Sequence, residues 1–313
     1  MRNVTEVSQG MTSPPHIFDR RLLRRRKARA APGMARVAFL LEHAAADLAE
    51  RLSLMQRYFP LGLDLGAHGE ALSGHIMRTG KVGRILRAAM TPELAGQADG
   101  AAFVCEEEAL PIAPQSLDLV VSALSLHLVN DLPGTLMQIR RALRPDGLFL
   151  AAMLGGRTLE QLRAAFAQPE IALTGGLSPR VAPFADVRDL GQLLQRAGFA
   201  LPVADSEMLS VTYAGPLELM ADIRAMGASN MLADRRKLML RRAVLAAAVE
   251  NYRSDFAAEG GRIAATFEIV TLTGWAPHDS QQKPLRPGSA RTSLRAAVST
   301  EQGLEGSRDH GEG

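Results

Sequence analysis

The chain has 313 residues, 47% of them apolar, enough to enclose a real core in one large domain or two small ones. Aromatic residues make up only 4%, too few for the stacking platforms of a single-strand nucleic-acid binder, and a lone cysteine, Cys105, excludes an internal disulfide or a multi-cysteine metal centre. The net charge of +3 hides an asymmetry: residues 1–33 carry eight basic and two acidic side chains, the remainder 28 basic and 31 acidic.

The basic character sits in "RRLLRRRKAR" (20–29). It reads as a solvated first helix or an arm lying on the chain's own acidic surface; anionic lipid, nucleic acid or an acidic protein face are the other partners such a run can meet. The start lacks the order of a signal peptide, Met11 is an alternative start, and no apolar run reaches the ~18 residues of a membrane span. These features, with the single cysteine, point to a cytoplasmic protein with at most peripheral membrane contact.

Residues 34–58 form a covering helix, with Leu40, Leu41, Ala44, Leu48 and Leu52 at helical spacing. Strands are expected at 61–66, 82–86, 101–105, 117–124 and 147–154, and helices near 69–79, 92–98, 132–143 and 158–168. Strands alternating with helices imply a mostly parallel sheet covered on both faces. From 186 a helix stopped by Gly198 follows, with Asp186 as its N-cap. Then come a strand at 203–213, helices at 216–227 and 233–257, and a long alternating strand at 261–275. The organisation is a basic arm (1–33), a main domain (34–277) and a C-terminal segment (278–313) that becomes disordered beyond about 294.

In an open parallel sheet, ligands bind outside the carboxyl ends of strands where strand order reverses. "LDLGAHGE" (63–70) puts Asp64 and Gly66 at such an end, with Gly66 free to turn tightly before a helix whose backbone N–H groups face a ligand. "EEEALPI" (106–112) is an acidic turn after the third strand. "SLDLVVSALSLHLVNDLPGTLMQIRRALRPDGLFLAAML" (116–154) is a strand, a loop carrying His127 and Asn130, a helix, and a turn into another strand.

This ordered set resembles the class I S-adenosylmethionine-dependent methyltransferases. The resemblance implies an α/β fold with a seven-stranded, mostly parallel sheet, helices on both faces and a helical insertion (216–257) before an antiparallel last strand. It implies S-adenosylmethionine as cofactor, held by Asp64, Gly66, His68, Glu106 and Ser122, with Ser122 to Asn130 bordering the reacting atoms and His127 and Asn130 as the catalytic candidates. A closer likeness lies outside the core. "IFDRRLLRRRKARAA", "GGRTLEQL", "LSPRVAPFADVRDLGQLLQRAGF", "LELMADIRAMGASN" and "GWAPHDSQQKPLRPGSARTSL" resemble the methyltransferase-fold assembly factors of respiratory complex I, whose mitochondrial member is assigned as an arginine hydroxylase of a core subunit. A protein partner, such a core subunit, is therefore implied. Malonyl-carrier-protein methyltransferases share "LVNDLP", "RPDG" and "GGRTLEQL", so methylation of a small molecule or a carrier-bound acyl ester is the alternative, and a non-catalytic assembly factor the third reading.

Two departures weaken the cofactor site. Ala67, His68 and Glu70 replace the Cys and two Gly of the family loop. Ala88 and Ala89 stand where a carboxylate should grip the ribose diol. His68 and His127 read as pocket residues or as hydrogen-bonded loop histidines. His43 and Asp47 read as a surface pair rather than a metal site. "RRKLMLRR" (235–242) reads as a solvated helix face. Trp275, His278, Asp279, Ser280, Gln281, Gln282 and Lys283 read either as grip on a peptide or guanidinium or as a sheet-capping tail.

Overall fold

The computed structural model describes residues 16–97 and 100–281. Gln282, Lys283, the expected disorder beyond 294 and the choice between Met1 and Met11 lie outside them. The chain divides into Met1–Pro277 and His278–Gly313. In the second unit, His278 turns back on itself, with Nδ1 2.6 Å from Ser280 Oγ and its backbone N–H donating to Gln281 Oε1.

Seven strands form one sheet: β1 (Phe59–Leu65), β2 (Val82–Ala89), β3 (Ala102–Val104), β4 (Leu117–Ala123), β5 (Leu143–Leu154), β6 (Ala200–Tyr213) and β7 (Ile263–Trp275). Their order is β3-β2-β1-β4-β5-β7-β6. β1 to β5 run parallel, and β7 lies antiparallel between β5 and β6. Every residue of β4 is buried, the mark of a central strand covered on both faces. Strand order reverses between β1 and β4, which places the ligand crevice beyond their carboxyl ends.

On one face α2 (Phe39–Ser53) and α3 (Ala71–Arg78) pack Leu48, Leu52, Leu72 and Ile76 against Leu119, Val121 and Leu150. On the other, α5 (Leu132–Ala142) and α7 (Val187–Arg196) set Leu136, Ile139, Leu190 and Leu194 on Val120 and Phe149. Asp131 and Asp186 cap these two helices through side-chain bonds to the first-turn N–H groups. A third cluster joins α6 (Glu160–Thr174), α8 (Pro216–Ala225) and α9 (Arg242–Asp255) to the far ends of β6 and β7. No helix among the described residues is long and apolar enough to cross a membrane.

Three local expectations are corrected. The helix expected to end near 168 runs on through Pro169 to Thr174, because Phe166, Pro169 and Glu170 are all buried and Glu170 is held by Arg180 and the Ser178 N–H. That tertiary packing offsets the backbone bond that proline removes. Residues 233–241 are not helical; α9 begins at Arg242, and Leu238 and Met239 are exposed. "RRKLMLRR" is therefore an extended loop, in which Arg235 pairs with Asp19 and Arg241 bonds the Leu173 carbonyl. "RPDG" is not a free turn but a bulge in β5, where pairing jumps from Leu117–Leu143 to Leu119–Leu148.

The basic run folds as α1 (Arg20–Ala30), capped by Asp19. Phe18 and Leu23 are buried against Met231 and Leu232, and Phe18 forms an antiparallel bridge with Leu232. Only Arg21, Arg24, Arg25 and Arg29 of this helix's basic residues are exposed. The short α4 (Pro92–Ala95) follows β2, capped by Thr91.

Candidate functional site

At the end of β1 the chain turns at Gly66, whose φ of +76° is open to glycine and whose missing Cβ would lie 2.1 Å from Ser125 Oγ. The Gly66 and Ala67 N–H groups both donate to the Ala88 carbonyl, which ties this loop to β2. Asp64, just before the turn, is buried with one carboxylate oxygen lacking a hydrogen-bond partner. Burial pushes its pKa up to about 7, against the opposing pull of the Arg87 charge.

Beyond β3 the three glutamates meet α1. Arg20 holds Glu106 and Glu107 and donates to the Leu128 carbonyl, and Arg24 also reaches Glu106. Glu107 is almost wholly buried and takes a hydrogen bond from Ser125. Glu108 accepts from the Asn130 and Asp131 N–H groups at the start of α5 through one carboxylate oxygen, and the other lies 3.9 Å from Arg20 Nε.

Between these strand ends sits a buried cation. Lys27 Nζ lies 2.9 Å from His68 Nε2 and donates to the Met226 carbonyl at 3.2 Å. Burial lowers its pKa to about 8, with the Glu107 charge pulling the other way. His68 is held well below the usual imidazole range by burial and then by the Lys27 charge, so it is neutral and its Nε2 accepts a hydrogen bond from the lysine ammonium. His127, also buried, is lowered to about 3 for the same two reasons. Its Nδ1 accepts the Leu154 N–H at 3.4 Å, which leaves the ring proton on Nε2, and its edge packs on Phe184 at 5.2 Å.

The structure brings Asp64, Gly66, His68, Glu106 and His127 to one end of the sheet. Ser122 lies deeper, donating to the Leu65 carbonyl and so locking β4 to β1. The Asn130 amide is engaged at both ends, accepting from Phe18 N at 2.7 Å and donating to Phe18 O at 3.2 Å, and anchors the entry to α1. His43 pairs with Glu207 and Asp47 with Arg51, so these two do not pair with each other. Arg20, Lys27 and Glu107 join the site without having been singled out in the sequence, whereas Ser125 lies within the stretch from Ser122 to Asn130 expected to border the reacting atoms. The available signal was Arg20, Leu23 and Lys27 at helical spacing, one face of an otherwise basic helix.

Three spaces adjoin these groups, one of them an open cavity of about 520 Å³ beside His68, Gly69 and Glu70. A gap of only about 10 Å³ remains among Lys27, Gly66, His68, Met90, Glu107 and Ser125. Beside it a cavity of about 550 Å³ opens under α1 and α8, with Lys27, His68 and His127 in its wall. For S-adenosylmethionine the chemistry of the strand-end residues fits: a glycine turn, an unpartnered Asp64 oxygen, carboxylates past β3, and apolar Met90 and Leu128. As it stands, the gap among these residues is far too small for the cofactor.

Fold and site together define a class I methyltransferase-type domain, and a family model described as a methyltransferase domain matches residues 63–151. A candidate methyltransferase structure from Bacillus halodurans shares the fold, with a TM-score of 0.50 at 12% identity over 74% of this chain and 99% of that one. The chain is 38% identical to the mitochondrial arginine-hydroxylase NDUFAF5 of Danio rerio over 91% of its own length and 89% of that protein. It is 40% identical to the Homo sapiens protein, covering 91% and 85%. A malonyl-[acyl-carrier protein] O-methyltransferase of Halorhodospira halophila is 32% identical, covering 88% and 94%. The chain belongs to the methyltransferase-fold family that contains the NDUFAF5 arginine hydroxylases.

Proposed function

We propose that this chain is an S-adenosylmethionine-binding, methyltransferase-fold enzyme that modifies a protein, hydroxylating an arginine of a core subunit of respiratory complex I. The likeness to arginine hydroxylases across nearly the whole chain carries this reading. A physical observation supports it: the glutamate turn past β3 already receives a guanidinium, that of Arg20, and a substrate arginine offers the same planar donor group.

In this reading Asp64, Gly66 and His68 hold the amino-acid end of the cofactor, Glu106 the adenine, and Ser122 keeps the two central strands in register beneath it. His127, neutral and carrying its proton on Nε2, is the donor nearest the acceptor side, and Asn130 holds the arm in place. Bound in this site, the cofactor would supply an electrophilic methyl group on sulfur for a methyl transfer; hydroxylation of an arginine is instead a two-electron oxidation, whose oxygen atom comes from an external oxidant. The protein's own part is to align the acceptor and exclude water. A cytoplasmic location goes with this reading.

The test is incubation of the purified protein with complex I core subunits, in cell extract as a source of oxidant, followed by mass spectrometry. Gain of one oxygen on an arginine supports the proposal, and an unmodified subunit set under conditions where cofactor binds refutes it. A second reading, methyl transfer to a carrier-bound acyl ester, is favoured by one feature: Arg26, Lys27 and Arg180 line the large cavity and, among the described residues, no carboxylate does. Label passing from the cofactor's methyl group to malonyl-carrier protein would establish it.

A further inference from the structure

We infer that the 550 Å³ cavity beneath α1 and α8 binds a long aliphatic acyl chain, with its carbonyl or carboxylate oxygen against Lys27 and His127. This ligand is separate from the arginine of the proposed reaction, and the inference does not depend on it.

The walls set the ligand's body. Leu40, Phe166, Phe184, Met220, Ile223 and Phe267 come from five different parts of the chain and face one space. Its volume is that of a small-molecule site rather than a packing defect. Most of this wall is apolar, and a peptide backbone laid along that part would leave N–H and C=O groups without partners. A flexible hydrocarbon loses nothing of that kind.

The polar end sets the ligand's head. An ammonium has three N–H donors, and Lys27 directs two of them to His68 Nε2 and the Met226 carbonyl. His127 carries its proton on Nε2, because Nδ1 accepts from Leu154. The wall therefore offers donors. Among the described residues no Asp or Glu lines it, while Arg26 and Arg224 do, together with Arg180, whose charge is already paired with Glu170. A cationic head is repelled there. A carboxylate or ester oxygen receives charge-assisted hydrogen bonds in surroundings that strengthen them.

A free fatty acid and a carrier-bound acyl thioester share this chemistry, and calorimetry on the full-length protein, stripped of bound lipid, separates them. Laurate, myristate and palmitate are titrated below their micelle concentrations, then methyl palmitate and palmitoyl-carrier protein. Binding in the micromolar range is expected, tightening about fourfold per added methylene until the cavity is filled. Tighter binding of the carrier form identifies the thioester as the natural source, and tighter binding of the free acid identifies the acid. Lys27→Met should weaken palmitate about tenfold and leave methyl palmitate nearly unchanged. Met220→Trp, at a partly exposed position on α8, fills the cavity and should abolish binding of every chain while circular dichroism confirms the fold. The inference is overturned by absence of binding, by equal affinity for laurate and palmitate, by unaltered binding in Met220→Trp, or by a preference for arginine methyl ester over the acids.

Discussion

The Arg20 guanidinium on α1 is paired with the Glu107 carboxylate beyond β3, with the two side chains 11% and 2% exposed. A pair so deep is sensitive to loss of one partner, because the survivor is left as an uncompensated buried charge. It also decides where the basic arm lies: on the chain's own acidic turn, over the strand ends that form the site.

Removing one partner should therefore cost more than removing both. Arg20→Met is expected to lower unfolding stability by about 3–5 kcal/mol, and the double change Arg20→Met with Glu107→Gln to recover most of it. Urea denaturation of both single variants and the double variant closes the cycle. Additive losses would mean that Arg20 and Glu107 do not act as a pair.

Asp64 makes a pH-dependent contribution of known sign. Its carboxyl is pushed up to about 7 when folded, against 3.8 for an unperturbed aspartate, so between these values the folded chain keeps a proton the unfolded chain has released. Stability from this group falls as pH rises from about 4 to about 7 and stays low above. Replacing the group by Asp64→Asn removes the effect, so the variant's advantage over the natural protein should grow across that window and then level off. The difference between the two proteins matters here, since His68 and His127 lose stability in the opposite direction, on acidification below about 6.5. A constant difference across pH would show that Asp64 titrates normally.

Lys27 acts in the alkaline range. Its folded pKa of about 8 lies below the 10.5 of an unperturbed lysine, so the folded chain releases a proton that the unfolded chain still holds, and stability from this group rises between about 8 and about 10.5. Below 8 the penalty of the buried ammonium is present in full, with only the Glu107 charge offsetting it among the causes of the shift. Lys27→Met should abolish this rise. Chemical denaturation of both proteins from neutral pH to about 10 measures it, and parallel curves would exclude a buried ammonium.

The sheet was legible because its strands are short apolar runs between helices of 3.6 periodicity, and the order Asp64, Gly66, then the glutamates after β3 set the strand ends without ambiguity. That α1 lies on the chain's own acidic turn was among the readings of its charge, but the burial of Lys27 was not legible. Only Leu23 and Lys27 of that helix are buried, and the partners that bury Lys27, His68 and Met226, stand 41 and 199 residues away. The loop at 233–241 was misread for a related reason: its charges and Leu238 repeat at helical intervals, yet the segment is spent on tying Arg235 to Asp19 and Arg241 to Leu173. Local periodicity carries no information about contacts of that range.

The missing carboxylate at the end of β2 has a structural counterpart. Ala89 is wholly buried and packs with Ala31, Met34, Ala67 and Leu94, so the position expected to face the cofactor's ribose lies instead beneath the segment that follows α1. Ala89→Asp should then have opposite effects in the two states. In the free protein it buries an unpaired charge, and the loss should be on the order of 3 kcal/mol. With the arm displaced and S-adenosylmethionine bound, the same carboxylate accepts the ribose hydroxyls, and affinity should rise about ten- to a hundredfold over the natural protein. Thermal unfolding with and without cofactor, together with calorimetric titration, reads both numbers. A variant destabilised in both states would mean that the arm never leaves the site. A variant unaffected in either would mean that the end of β2 faces neither arm nor cofactor.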